Sequence, residues 1–225
     1  MLEISSEFAA AYEGCVVGYV AVEFETPPEF TDGLEAEIAR RERDFVSHYG
    51  QSSRAELKAL PVLSDYVRHF KRFKKTYHVL LQLASAAEGK PIPRVSPMVS
   101  IMLTSELSTL VLSSGHDLDV VNTPLTFRPG SSNREIELLG GRSQALKDGD
   151  ITLCDGDTTL AAVVYGQSVH GMIGDATTRA VFVAYGVPGV DDAALRAHLD
   201  DMVTLVGLTG GRPVITGPQV VSVGE

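Results

Sequence analysis

Glycine and aspartate interrupt residues 115–185 so often that no long helix can pass through them. Gly115-His116-Asp117-Leu118-Asp119, Leu139-Gly140-Gly141, Asp148-Gly149-Asp150, Cys154-Asp155-Gly156-Asp157 and Asp175-Ala176-Thr177-Thr178 are turn-forming sequences. In each, glycine supplies unusual backbone angles or an aspartate can bond to nearby amides. Short β-prone runs lie between them, at 124–127, 136–139, 151–154, 160–165 and 180–185. The expectation is an irregular, mostly antiparallel β module with a lined cavity.

Outside that segment the periodicity changes. Residues 15–25 read as a strand, with Val16, Val20, Val22 and Phe24 on one parity and Glu23 and Glu25 on the other, stopped by Pro27 and Pro28. Asp32 is a candidate N-cap for a helix through Leu34, Ile38 and Phe45, with Gly50 just past its end. Ser52 or Ser53 caps a shorter helix that must stop before Pro61. Across 62–87 the spacing is helical throughout: Tyr66, Phe70, Phe73, Tyr77 and Leu80 recur every three or four residues and form one stripe. Ser96-Pro97 starts another helix, with Met98, Ile101, Met102 and Leu103 on its apolar side. Near the end, residues 187–190 form a loop and Asp191 or Asp192 caps a helix through Leu195, Leu199 and Val203. The tail from Gly210 is either a last strand or frayed. Helices, then strands, then a helix make an α+β chain rather than an alternating α/β one.

The 225 residues suffice for one substantial core, and 44% hydrophobic with 21% charged residues is ordinary for a globular protein. No apolar run approaches a membrane span and no secretory leader opens the chain, so the expectation is a cytoplasmic protein with no membrane partner. Cys15 and Cys154 stand in apolar runs and read as two unpaired core thiols. The six histidines lack ligand spacing, so neither a metal nor another cofactor is expected. The net charge of −10 argues against a protein that clamps nucleic acid with its whole surface. That charge is uneven, however. Residues 61–95 hold 7 basic and 2 acidic side chains, an island of +5.

Candidate functional residues follow from these patterns. Arg68, Lys71, Arg72, Lys74 and Lys75 could meet RNA phosphates, or could simply be the solvated side of an amphipathic helix. His116 and Asp117 are adjacent, so they form either a turn or a cleft wall with His116 as proton carrier. Gln167 and Ser168 follow a strand and precede a Gly-containing loop, where a neutral amide can read a ligand without bringing charge; the alternative is an exposed turn. His170 is a weaker candidate of the same kind. Glu106, beside Met102 and Leu103, reads as a solvated charge. No Gly-x-Ser-x-Gly, P-loop or dinucleotide fingerprint is present, and no catalytic residue can be named.

The order of these features resembles the B3/B4 domain, the editing module of the phenylalanyl-tRNA synthetase β subunit, which also occurs free-standing. The likeness runs over residues 66–186, and its motifs are weak singly and moderately specific together. They are the aromatic and basic helix, the Gly89-Lys90-Pro91-Ile92-Pro93 turn, a helix and the His116-Asp117-Leu118-Asp119 turn. Leu139-Gly140-Gly141, Asp148-Gly149-Asp150, Gln167-Ser168, a Thr-rich turn and a closing strand follow. The resemblance implies one B3/B4-type domain over 1–225. Its core would be 66–186, with a strand and helices in 1–65 and a helix and tail in 187–225. It implies a pocket for an amino-acid-like small molecule near His116, Asp117, Gln167, Ser168 and Tyr185, and tRNA or its aminoacyl 3′ end as partner. The matching activity would be hydrolysis of a mischarged aminoacyl ester; the alternatives are a non-catalytic binding module and an RNA-binding accessory protein. Several family positions differ. The usual Val-Asp-x-x-Asn reads Val99-Ser100-Ile101-Met102-Leu103, the Arg before Gln-Ser is Gly166, and the closing-strand glutamate falls at Ala184 or Tyr185. The implied pocket is therefore less polar than the editing pocket.

Overall fold

Strands do fill the interrupted half of the chain, and the N-terminal residues join them. In the computed structural model, which describes residues 1–224, the first elements are β1 (Leu2–Ile4), α1 (Ser6–Ala11) and β2 (Val16–Glu23). The helical stretch holds α2 (Asp32–Tyr49), α3 (Arg54–Lys58), α4 (Pro61–Arg72), α5 (His78–Ala87) and α6 (Pro97–Thr109). Then come β3 (Ser113–Asp117), β4 (Leu125–Pro129), β5 (Glu135–Leu138), β6 (Arg142–Ala145), β7 (Ile151–Asp155), β8 (Thr158–Ala162), β9 (Gly166–Gln167) and β10 (Arg179–Tyr185). The chain closes with α7 (Asp192–Val206) and β11 (Val214–Ser222). The class is α+β.

One sheet has the order β11-β2-β10-β3 and is antiparallel throughout. A second has the order β1-β4-β7-β8-β9, antiparallel except where β1 lies parallel to β4. β5 and β6 form a separate hairpin. In the first sheet β2 is internal and covered on both faces, so Val17, Tyr19 and Ala21 are buried as fully as Val16, Val20 and Val22. The one-sided strand expected from parity is thus corrected by its central position. Helix α7 packs across β2, and Gly18 sits at the contact. A Cβ there would lie 2.9 Å from Leu199 Cδ1 and 2.8 Å from the Gln219 carbonyl, so only glycine admits both neighbours. The opposite face carries Val181, Val183 and Tyr185, where Phe127 of β4 meets Tyr185 edge-on at 5.7 Å. The buried core runs continuously from Phe8 to Val223.

Helix starts follow the local chemistry closely. Ser53 and Glu56 form a capping box, Ser96 caps α6 and Asp191 caps α7. Thr31, rather than Asp32, caps α2. The continuous helix expected over 62–87 is broken in two. Lys74 takes φ +57°, and its N–H bonds the Lys71 carbonyl while the Lys75 N–H reaches back to Phe70. Those two bonds are a Schellman closure with lysine in the glycine position. The aromatic stripe survives the break, since Tyr66, Phe70 and Tyr77 are buried and the Tyr66 and Tyr77 rings stack at 4.6 Å. Residues 160–165 also divide: the strand ends at Ala162 and a turn leads to β9. The tail is a strand.

Candidate functional site

The sequence-predicted pocket residues gather around β3, which is a strand at His116 and not the turn that Gly115 suggested. The turn begins one residue later, where Asp117 Oδ1 accepts the Asp119 N–H. Pairing with β10 sets His116 opposite Val181 and Ser114 opposite Val183, so Ser114, His116 and Tyr185 share one face. Ser114 Oγ stands 2.7 Å from His116 Nε2 and also contacts the Tyr185 hydroxyl. All three side chains are buried, and His116 Nδ1 finds no partner among the described residues. Burial drives the His116 pKa down to about 3 and raises that of Tyr185, so both are neutral over the ordinary pH range.

Glu106 reaches the same strand from α6 at Ser113, one residue before the row, and here the expectation of a solvated charge is wrong. Its carboxyl accepts the Ser113 N–H at 2.7 Å and the Ser113 hydroxyl at 3.1 Å, at 3% exposure. Burial pushes its pKa up to about 8, against the opposing pull of those two bonds. Tyr66 ties the same region together, donating to the Tyr185 carbonyl and accepting from the Leu112 N–H.

Gln167 reaches β3 from the other sheet, while Ser168 stays beside Leu160 and Leu138. The Gln167 amide donates to the Gly115 carbonyl, and Ser168 Oγ is taken by the His170 N–H. His170 itself is exposed. Asp117 points away from the buried row: its Oδ2 accepts the Thr177 hydroxyl at 2.6 Å, and Thr177 Oγ1 accepts the Gly174 N–H. Thr177 lines an open cleft of about 290 Å³ at the start of α6. Glu29, Asp175 and Ser96 supply its polar wall, and Pro28, Phe30, Val95, Pro97 and Met98 its apolar wall. Sequence reasoning passed over Glu29 and the Thr177–Asp117 link. The one available signal was the Asp175-Ala176-Thr177-Thr178 turn.

The basic residues cluster at the end of α4. Arg68 is held by Asp65 at 2.8 Å, while Lys71, Arg72, Lys74 and Lys75 are exposed and have no carboxylate partner among the described residues. Lys75 Nζ lies 4.5 Å above the half-buried Tyr165 ring. A second buried pair lies beneath this end of the helix, where His69 Nε2 stands 3.9 Å from Asp150 Oδ1. Both cysteines are buried and unpaired. No helix among the described residues is long and apolar enough to cross a membrane.

No family model matches the chain, and no curated protein matches it in sequence. Its fold is similar to an N-terminal fragment of the phenylalanyl-tRNA synthetase β-subunit from Pyrococcus horikoshii, with a TM-score of 0.50 and 11% sequence identity. The likeness covers 95% of this chain and 50% of that fragment, so the chain spans half the fragment's length. At that identity what is shared is the fold, and the fold is phenylalanyl-tRNA synthetase β-like.

Proposed function

We propose that the chain is a B3/B4-type module that binds an amino-acid-like small molecule in the cleft at the start of α6, without catalysing its hydrolysis. The observation that carries this is a separation of roles. The groups with acid–base capacity around β3, namely Glu106, His116 and Tyr185, are sealed inside and bonded to serines. The open cleft presents carboxylates, hydroxyls and an apolar wall, which hold a ligand but offer no activated nucleophile. In this reading the sequence-predicted pocket residues act from behind. Asp117 fixes Thr177, while Gln167 through the Gly115 carbonyl and Tyr185 through Ser114 brace the strand that carries His116 and Asp117, and Ser168 holds the His170 turn.

A thermal-shift panel of amino acids, their esters and their amides tests binding, with stabilisation expected for a subset and none at millimolar ligand counting against it. A deacylation assay over mischarged tRNAs is expected to show no turnover; turnover would make the module the hydrolase that the resemblance implies.

The unpaired cations favour a second, compatible reading, in which tRNA phosphates lie along the end of α4. Charge reversal at Lys71 and Lys75 is then expected to abolish tRNA binding in a filter assay, and unchanged binding would refute it.

A further inference from the structure

A second hollow lies along the later turns of α6 and shares no lining residue with the cleft at its start. It holds about 340 Å³ between α5, α6 and the 89–93 turn. Ile92 and Leu107 are buried at its base, Leu103 is half-buried, and Leu81 stands 46% exposed at the rim. Nothing within the chain covers that leucine.

Hydrogen bonds fix the turn that forms one wall. The Lys90 N–H bonds the Ser85 carbonyl at 3.0 Å, the Ile92 N–H bonds the Glu42 carboxylate at 2.7 Å, and the Ser100 hydroxyl donates to the Pro93 carbonyl at 3.1 Å. Proline at 91 and 93 restricts the backbone further. A held apolar wall with a few polar groups at its edge is the usual build of a small-molecule site.

The polar groups point to one ligand chemistry. Lys90 is the one charged side chain among the described residues that line the hollow, and Gln82 and Ser85 are the other polar ones. Gln82 and Ser85 stand one turn apart on α5, each with a donor to offer. The carboxylate that meets Lys90 is Glu88 at 3.2 Å, outside the hollow, and both side chains of that pair are two-thirds exposed. Such a surface pair yields readily to a competing carboxylate. Glu42, behind the turn, is already bound to Arg94 at 2.8 Å.

We propose that this hollow binds a monocarboxylic acid with an apolar body of about eight to ten carbons, since each atom of that size fills about 30 Å³. The carboxylate pairs with Lys90 and takes hydrogen bonds from Gln82 and Ser85, and the body lies against Leu81, Ile92, Leu103 and Leu107.

Octanoate, octan-1-ol and octylamine share one chain and differ in charge near pH 7. An NMR titration of the whole chain with labelled leucine methyls reads both place and affinity. Octanoate is expected to shift the methyls of Leu81, Leu103 and Leu107 and to bind about threefold tighter than octanol, with octylamine weakest. Lys90→Gln is expected to bring octanoate down to octanol, and Glu88→Gln to strengthen octanoate by removing its competitor. Leu81→Asn is expected to weaken octanoate and octanol alike and, as a rim substitution, to keep the melting temperature. Equal binding of octanoate and octanol, or an unchanged preference in Lys90→Gln, would overturn the carboxylate assignment. Unmoved methyls at these three leucines with about 10 mM octanoate would overturn the site itself. A dimer in sedimentation that Leu81→Asn dissolves would show that a second copy covers the hollow, and would overturn the small-molecule assignment.

Discussion

Glu106 gives this fold a pH dependence on the alkaline side of the ordinary carboxylate range. Its folded pKa of about 8 lies above the ordinary carboxylate value, so the folded state holds a proton that the unfolded state releases. A group raised in this way contributes its full stability below about pH 4.5, and that contribution is lost as pH rises to 8. The loss amounts to a few kcal/mol. His116 and His198 act in the opposite direction. Burial lowers their pKa values to about 3 and about 4, so their contribution is full above about pH 6.5 and falls away in acid. Urea denaturation of Glu106→Gln between pH 5 and 9 is expected to show a flatter profile than the parent and greater stability at pH 9. A parallel profile would mean that Glu106 is ionised in the fold. The sequence concealed this residue because α6 has no one-sided apolar stripe, burying Ser100, Thr104 and Ser105 along with Met98, Ile101 and Leu107. One glutamate in such a helix reads as the solvated position, and its partner Ser113 lies on a strand beyond the left-handed turn at Leu110.

Element boundaries were legible wherever the signal is local. Ser53, Ser96 and Asp191 cap the helices that follow them because a side-chain oxygen and an amide three residues on settle the matter by themselves. The break between α4 and α5 was not legible, since the aromatic spacing continues through it and lysine is a good helix former. Lys74 holds the left-handed position that glycine occupies without steric cost, so Lys74→Gly is expected to raise stability by about 0.5–1 kcal/mol, read from urea midpoints. A drop would show that the lysine makes a compensating contact. Packing between elements also depends on a charge cluster that spacing could not reveal. Arg41 of α2 makes two 2.7 Å bonds to Asp201 of α7, and Ser105 of α6 bonds the same carboxylate. Arg41 is 9% exposed, so Asp201→Ala leaves a largely buried guanidinium without its main partner. The expected cost is about 2–4 kcal/mol, and a change below about 1 kcal/mol would show that solvent replaces the pair.

At the scale of the whole molecule, strand order is what residue patterns could not supply. Sheet order β11-β2-β10-β3 joins segments some 160 residues apart, such as Tyr185 opposite Val17, and nothing in either segment names the other. The tail carries the largest consequence. Residues 214–222 pair along the length of β2, Tyr19 bonds Gln219 at 2.8 Å, and Val223 exchanges backbone bonds with Gly14 and Cys15. The burial of β2 between β10 and α7 therefore also depends on a strand whose own outer residues, Val214 and Val221, are exposed. Ending the chain at Gly210 would turn β2, whose residues from Val16 to Val22 are buried, into an open sheet edge. The shortened chain is expected to melt more than about 10 °C below the full one and to associate on heating, followed by circular dichroism and light scattering. An unchanged melting temperature would mean that β11 is an accessory to the sheet rather than its closing strand. Ligand response separates the two cases further: Gly210 and Arg212 border the cavity that shares Glu29 with the cleft, so losing the closing strand is expected to abolish stabilisation by ligands of the cleft as well.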